Sequence, residues 1–172
     1  MRVQRRPSLV SLVALLAAFG ALATGCGGDG LARFEDAGIS FRYPKSWPEP
    51  AGFTTETLPP RAAVASFSLA GWDPEGDCAA YGAAERLPPE GVLVLLVVYT
   101  VPLVPEDFPP RPARLTFEGV QPLEFECFGR SYPFFFSVGG RSFQAFVQLG
   151  DRAAPKLREQ ALAVLESIRL EG

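Results

Sequence analysis

Val92-Leu93-Val94-Leu95-Leu96-Val97-Val98-Tyr99 is the stretch whose reading decides the fold. Eight consecutive apolar or aromatic residues are far short of the ~20 needed to cross a bilayer as a helix. They also lack the polar alternation of a strand with one wet face, so they predict a strand covered on both sides, at the centre of a sheet.

Working outward from this strand, five prolines between 102 and 112 (at 102, 105, 109, 110 and 112) predict an extended irregular loop. A strand is expected at 123–128. Residues 132–138 and 141–149 then flank Gly139-Gly140, a two-residue hairpin signal because both centres of a type I′ turn need positive φ. In the second of these strands Phe143, Ala145, Val147 and Leu149 alternate with Ser142, Gln144, Phe146 and Gln148, which predicts one inward face and one mostly wet face. The chain closes on a helix over 155–168: Leu157, Ala161, Val164, Leu165 and Ile168 fall on one third of the wheel, opposite Glu159 and Glu166. On the N-terminal side, strands are expected at 33–36, 39–43 and 63–69, and a short Ala-rich helix at 78–86 with Asp77 as its N-cap. The fold class is therefore α+β: one domain, with a mostly antiparallel sheet covered by helices.

Composition excludes whole classes of chemistry. Among 172 residues there is no histidine, which removes Ser-His-Asp and Cys-His catalysis and His-ligated metals. Three cysteines are too few for a four-cysteine zinc or iron–sulfur site within the chain. The net charge of −3, with no Lys/Arg cluster in the domain, argues against a nucleic-acid partner. No cofactor and no metal is expected.

The N-terminus reads as an export signal. Arg2, Arg5 and Arg6 form a positive region, residues 9–19 are almost wholly apolar, and the run ends in small residues before Cys26. Leu22-Ala23-Thr24-Gly25-Cys26 resembles the lipobox of bacterial lipoproteins, with Ala23 where that family has leucine. The resemblance implies cleavage before Cys26 and a diacylglycerol on its sulfur. Ala21-Leu22-Ala23 is also an A-x-A site, whose cleavage would release a soluble chain beginning at Thr24. Cysteine parity favours lipidation, because it leaves the even pair Cys78 and Cys127. Removing residues 1–25 with their three arginines takes the net charge from −3 to −6.

The expected organisation is thus a signal peptide over 1–25, a lipidated flexible tether over 26–31 and an α+β domain over 32–172. Membrane contact would come through the lipid on Cys26, at the outer face of the cell membrane or envelope.

The ends of the domain carry a second resemblance. Gly38-Ile39-Ser40-Phe41-Arg42-Tyr43-Pro44 followed by Trp47, with the closing Leu165-Glu166-Ser167-Ile168-Arg169, is similar to the first and last segments of PsbP-like domains. About a quarter of the mature chain is covered. The resemblance implies an α-β-α sandwich and a non-catalytic accessory role, and it places no functional residue.

Each candidate for chemistry has a plainer competitor. Cys78 and Cys127 read as a structural disulfide; a redox pair lacks C-x-x-C spacing and a neighbouring cation, and two separate buried thiols are the other reading. Asp73-Pro-Glu75-Gly-Asp77 has the alternate carboxylates of a calcium loop. Cys78 stands where that loop needs glycine, however, and Ala84 where it needs glutamate, so a solvated turn is expected. Glu124 and Glu126 share a strand face without an obvious catalytic partner. Phe134, Phe136, Phe143 and Phe146, with Phe108 in the Pro-rich loop, form the candidate partner or ligand surface, against the competing reading that they are core.

The expected function is a membrane-anchored, non-enzymatic accessory or protein-binding module at the bacterial cell envelope, with an unknown envelope protein as partner. The alternative is a carrier of an apolar small molecule in a Phe-lined cavity.

Overall fold

Ala37 and Gly38, both at positive φ (50° and 71°), close a two-residue turn between β1 (Leu31–Asp36) and β2 (Ile39–Pro44). This hairpin opens the structure, a computed structural model that describes residues 30–54, 59–74, 78–99 and 106–171. Further along lie β3 (Arg61–Ala65), α1 (Ala79–Ala84), β4 (Val92–Tyr99), β5 (Leu123–Phe125), β6 (Gly129–Val138), β7 (Arg141–Leu149), α2 (Pro155–Glu166) and β8 (Arg169–Leu170).

The strands form two antiparallel sheets where one was expected: a three-stranded sheet in the order β1-β2-β8 and a five-stranded sheet in the order β3-β4-β7-β6-β5. The N-terminal hairpin pairs with the chain's last strand, Ile39 opposite Leu170, and not with the main sheet. β4 spans the eight residues read from the sequence but lies one place off centre. β7 is the middle strand, because the hairpin at Gly139 (φ 55°) and Gly140 (φ 83°) adds β6 and β5 on its far side.

β4 is covered on both faces, as its unbroken apolar run requires. Val92, Val94, Leu96 and Val98 belong to a core with Phe134, Phe136, Phe143 and Val147, which is capped by Ala161, Val164 and Leu165 of α2 and by Ile39, Phe41 and Trp47. Leu93, Leu95 and Val97 point the other way, into a smaller core with Ala63, Ala65, Phe146 and Ala83 of α1. One helix therefore lies against each face of the main sheet.

The expectation that one face of β7 is mostly wet is corrected here. Ser142, Phe146 and Gln148 are all buried, and Phe125 and Phe128 fold over Phe146: Phe128 stacks on it at 4.2 Å between ring centroids. The two glutamine side chains of this face find partners. Gln148 Nε2 donates to the Phe128 carbonyl and to Ser131 Oγ, and the Tyr99 hydroxyl donates to Gln144 Oε1 at 3.0 Å.

The described part of the Pro-rich loop, residues 106–112, is less free than its composition suggests. The Ser137 amide donates to the Pro109 carbonyl (2.8 Å) and the Arg111 amide to the Ser137 carbonyl (3.0 Å), so residues 109–111 run as a short parallel addition to β6. Arg111 Nη1 then donates to the carbonyls of Leu165 (2.8 Å) and Ile168 (2.9 Å), at the end of α2 and just past it, where a cation is favoured. Burial and the nearby Arg169 lower the Arg111 pKa from its ordinary value, and Glu166 opposes them. Glu166, expected on the wet face of the helix, instead accepts the Leu115 amide at 2.7 Å and ties the same loop down. Arg111→Met removes both charge-assisted bonds. The expected loss is about 2–3 kcal/mol, read as a lower urea midpoint at unchanged slope.

The C-terminal strand is held by charge. The Ser40 hydroxyl donates to Glu171 Oε1, Arg33 Nη2 lies 2.7 Å from the same carboxylate, and the Glu171 amide donates to the Gly38 carbonyl at 2.9 Å. The Ser40 bond chiefly holds the Glu171 carboxyl below its ordinary pKa; desolvation opposes it, and Arg33 adds a further lowering. A carboxyl depressed in the folded state stabilises it above the unfolded pKa and loses that contribution as pH falls through the folded one. Acidification through and below the ordinary glutamate range should therefore loosen β8. Backbone NMR shifts of Ile39 and Leu170 should follow that titration, and Glu171→Gln should abolish it.

Candidate functional site

At the end of β7 the chain must pass over the 88–91 turn. The Gly150 amide donates to the Gly91 carbonyl (3.0 Å) and the Arg152 amide to that of Pro89 (2.7 Å). A Cβ at position 150 would fall 2.3 Å from the carbonyl oxygens of Pro88 and Pro89, so the crossing needs glycine. It delivers Asp151 to the rim of an open cleft of about 540 Å³, and the α2 helix that starts at Pro155 brings Arg158 to the same rim.

The opposite walls come from two other places. The end of α1 and the turn after it supply Ala84, Glu85 and Leu87, while the β5–β6 hairpin supplies Glu124, Arg130 and Tyr132. Glu124 and Arg130 are register partners across that hairpin. Gln148 and Gly129 also line the cleft, and both are buried. The two walls are covalently joined: Cys78, just before α1, forms a disulfide with Cys127 in the turn between β5 and β6, with Cα atoms 4.5 Å apart.

Five charged side chains therefore surround the cleft, the carboxylates of Glu85, Glu124 and Asp151 and the guanidinium groups of Arg130 and Arg158. All five belong to exposed residues. Among the described residues none has an ion pair or a side-chain hydrogen bond, although both signs are present. Such an arrangement can bind a small polar molecule carrying charge. Among the described residues no group of three or more His, Cys, Asp or Glu side chains is placed to hold a metal ion.

The phenylalanines singled out from the sequence lie elsewhere. Phe134, Phe136 and Phe143 are buried on the α2 side of the sheet, with Phe136 stacked on Phe143 at 5.6 Å. Phe146 is buried on the other side, and Phe108 is buried between Tyr99 (5.9 Å) and Phe135 (6.0 Å). None of the five offers a ring to solvent as a surface, and the competing reading of core describes them. The alternation of β6 turns Phe135 outward instead, 41% exposed.

Glu124 and Glu126 do not form a pair at the cleft, because β5 ends at Phe125; Glu124 lines the cleft with carboxylates from other elements. Asp73 is exposed, and Glu75 and Asp77 lie outside the described residues, as does Cys26 with the whole of 1–29.

The sequence reading missed Glu85, Arg130, Asp151 and Arg158. One signal was present: an antiparallel hairpin turning around residues 126–128 must set Glu124 opposite Arg130.

Compared with known proteins, the chain matches no family model, no curated protein and no solved structure.

Proposed function

We propose that this chain is an exported, lipid-anchored protein whose α+β domain, PsbP-like in architecture, serves as a non-catalytic accessory or binding module at the bacterial cell envelope. The observation that carries this reading is the Cys78–Cys127 disulfide. Such bonds form and persist in oxidising compartments outside the cytoplasm. Using two of the three cysteines also leaves Cys26 alone, directly behind an apolar run and a set of small residues, where a lipid carrier would stand.

The sheet with one helix against each face supports the PsbP-like comparison at the level of architecture. The absence of histidine from the whole chain supports a binding role over catalysis. Between a binding module and a carrier of an apolar molecule, the packed phenylalanines favour the module. The rings that would have lined a carrier's cavity fill the two cores instead, and the large cleft is lined by charge.

Cell fractionation tests the anchor. Expressed in a bacterial host, the wild-type chain should sediment with membranes and resist a high-salt wash, since acyl chains hold by ~0.8 kcal/mol per buried CH2 and not by charge. Cys26→Ser should lose the acylation and the cleavage that depends on it. A wild-type chain found in the soluble fraction would overturn the proposal.

A further inference from the structure

We propose that the cleft between α1, the β5–β6 hairpin and the start of α2 binds a short peptide through both of its charged termini. Glu85, Glu124 and Asp151 offer carboxylates to the ammonium group, and Arg130 and Arg158 offer guanidinium donors to the carboxylate.

Size and charge both select this ligand class. A cleft of about 540 Å³ lies within the usual range of small-molecule sites and fits a peptide of two or three small residues. A purely anionic ligand would meet three carboxylates and a purely cationic one two guanidinium groups, whereas a zwitterion satisfies both signs at once. The charges are available for it. Glu124 and Arg130 sit opposite each other in register without forming an ion pair, and none of the other three is engaged by a neighbour among the described residues. Leu87, Pro122, Tyr132 and Leu149 supply apolar wall between the charged groups, suited to short side chains.

The site is also built on fixed elements. The disulfide joins two of its walls and the crossing at Gly150 fixes the third. The inference is independent of the anchor, because the cleft lies wholly within the folded domain.

The test is an NMR titration of the isotope-labelled full chain in detergent with the dipeptide Ala-Ala, its N-acetyl derivative and its C-terminal amide. Ala-Ala should shift the amide signals of Gly129, Arg130, Gly150 and Asp151 saturably. Blocking either terminus should weaken binding about tenfold, the scale of one lost charge-assisted interaction. Arg158→Gln and Glu124→Gln should each weaken Ala-Ala binding several-fold, and Arg114→Gln, outside the cleft, should not. These are exposed positions, so an unchanged spectrum elsewhere will confirm that each variant is folded. Absence of a saturable shift, equal binding by the blocked dipeptides, or indifference to both cleft substitutions would overturn the proposal. Because the titration is read in detergent, it reports on the cleft whatever fractionation shows about the anchor.

Discussion

Reduction of the Cys78–Cys127 bond lowers the stability of the domain by about 4 kcal/mol. This value follows from releasing the 49-residue interval in the unfolded chain, on the loop-closure model. Against a typical total of about 5–15 kcal/mol the loss is large, and it corresponds to a fall in Tm of roughly 10–15 °C. Thermal unfolding with and without reductant measures it, and the paired Cys78→Ala, Cys127→Ala variant should reproduce the reduced value without any reductant present. Because the bond joins α1 to the β5–β6 turn, loosening should be felt first at Glu85 and Glu124, on the two walls of the cleft. Unchanged stability after complete reduction would mean that the bond contributes little to holding these elements together.

Phe143→Ala should cost about 3–5 kcal/mol, enough to leave a marginal domain partly unfolded at 37 °C. Phe143 is wholly buried on the central strand and stacked on Phe136, on the face that α2 covers. Its removal would leave a cavity between two regular elements that can collapse only in part. Phe135→Ala, one residue away from Phe136 on the opposite face and 41% exposed, should cost no more than about 1 kcal/mol. Urea unfolding of the two variants side by side measures the contrast. Equal losses would contradict the assignment of Phe143 to the core.

The elements that could be read from the sequence are those with a strong local period or an obligatory turn. β4 was legible because eight apolar residues without interruption have few other uses at that length, and β6–β7 because Gly139-Gly140 fixes a hairpin. α2 was legible because Ala161, Val164 and Leu165 repeat at helical spacing.

What could not be read depends on distant chain. β8 has two residues, and only its pairing with Ile39 and Ser40, far away in sequence, makes it a strand. The face of β7 that carries Ser142, Phe146 and Gln148 alternates as a wet face would, yet all three are buried, and Phe125 and Phe128 cover Phe146. The burial of Phe108 likewise depends on Tyr99 and Phe135 meeting it.

The candidate site was the least legible part, since its five charges come from the residue after α1, β5, β6, the turn after β7 and α2. No local pattern unites them, and only the hairpin pair Glu124 and Arg130 could have been matched before the fold was known.

Export and lipid anchoring are the centre of the functional proposal, and the lipid would be carried by Cys26. The most direct measurement is the intact mass of the wild-type protein extracted from bacterial membranes. The mass of a chain beginning at Cys26, increased by a diacylglycerol and its fatty acids, is the predicted result. An unmodified chain beginning at Thr24, or the full 172 residues without lipid, would contradict it.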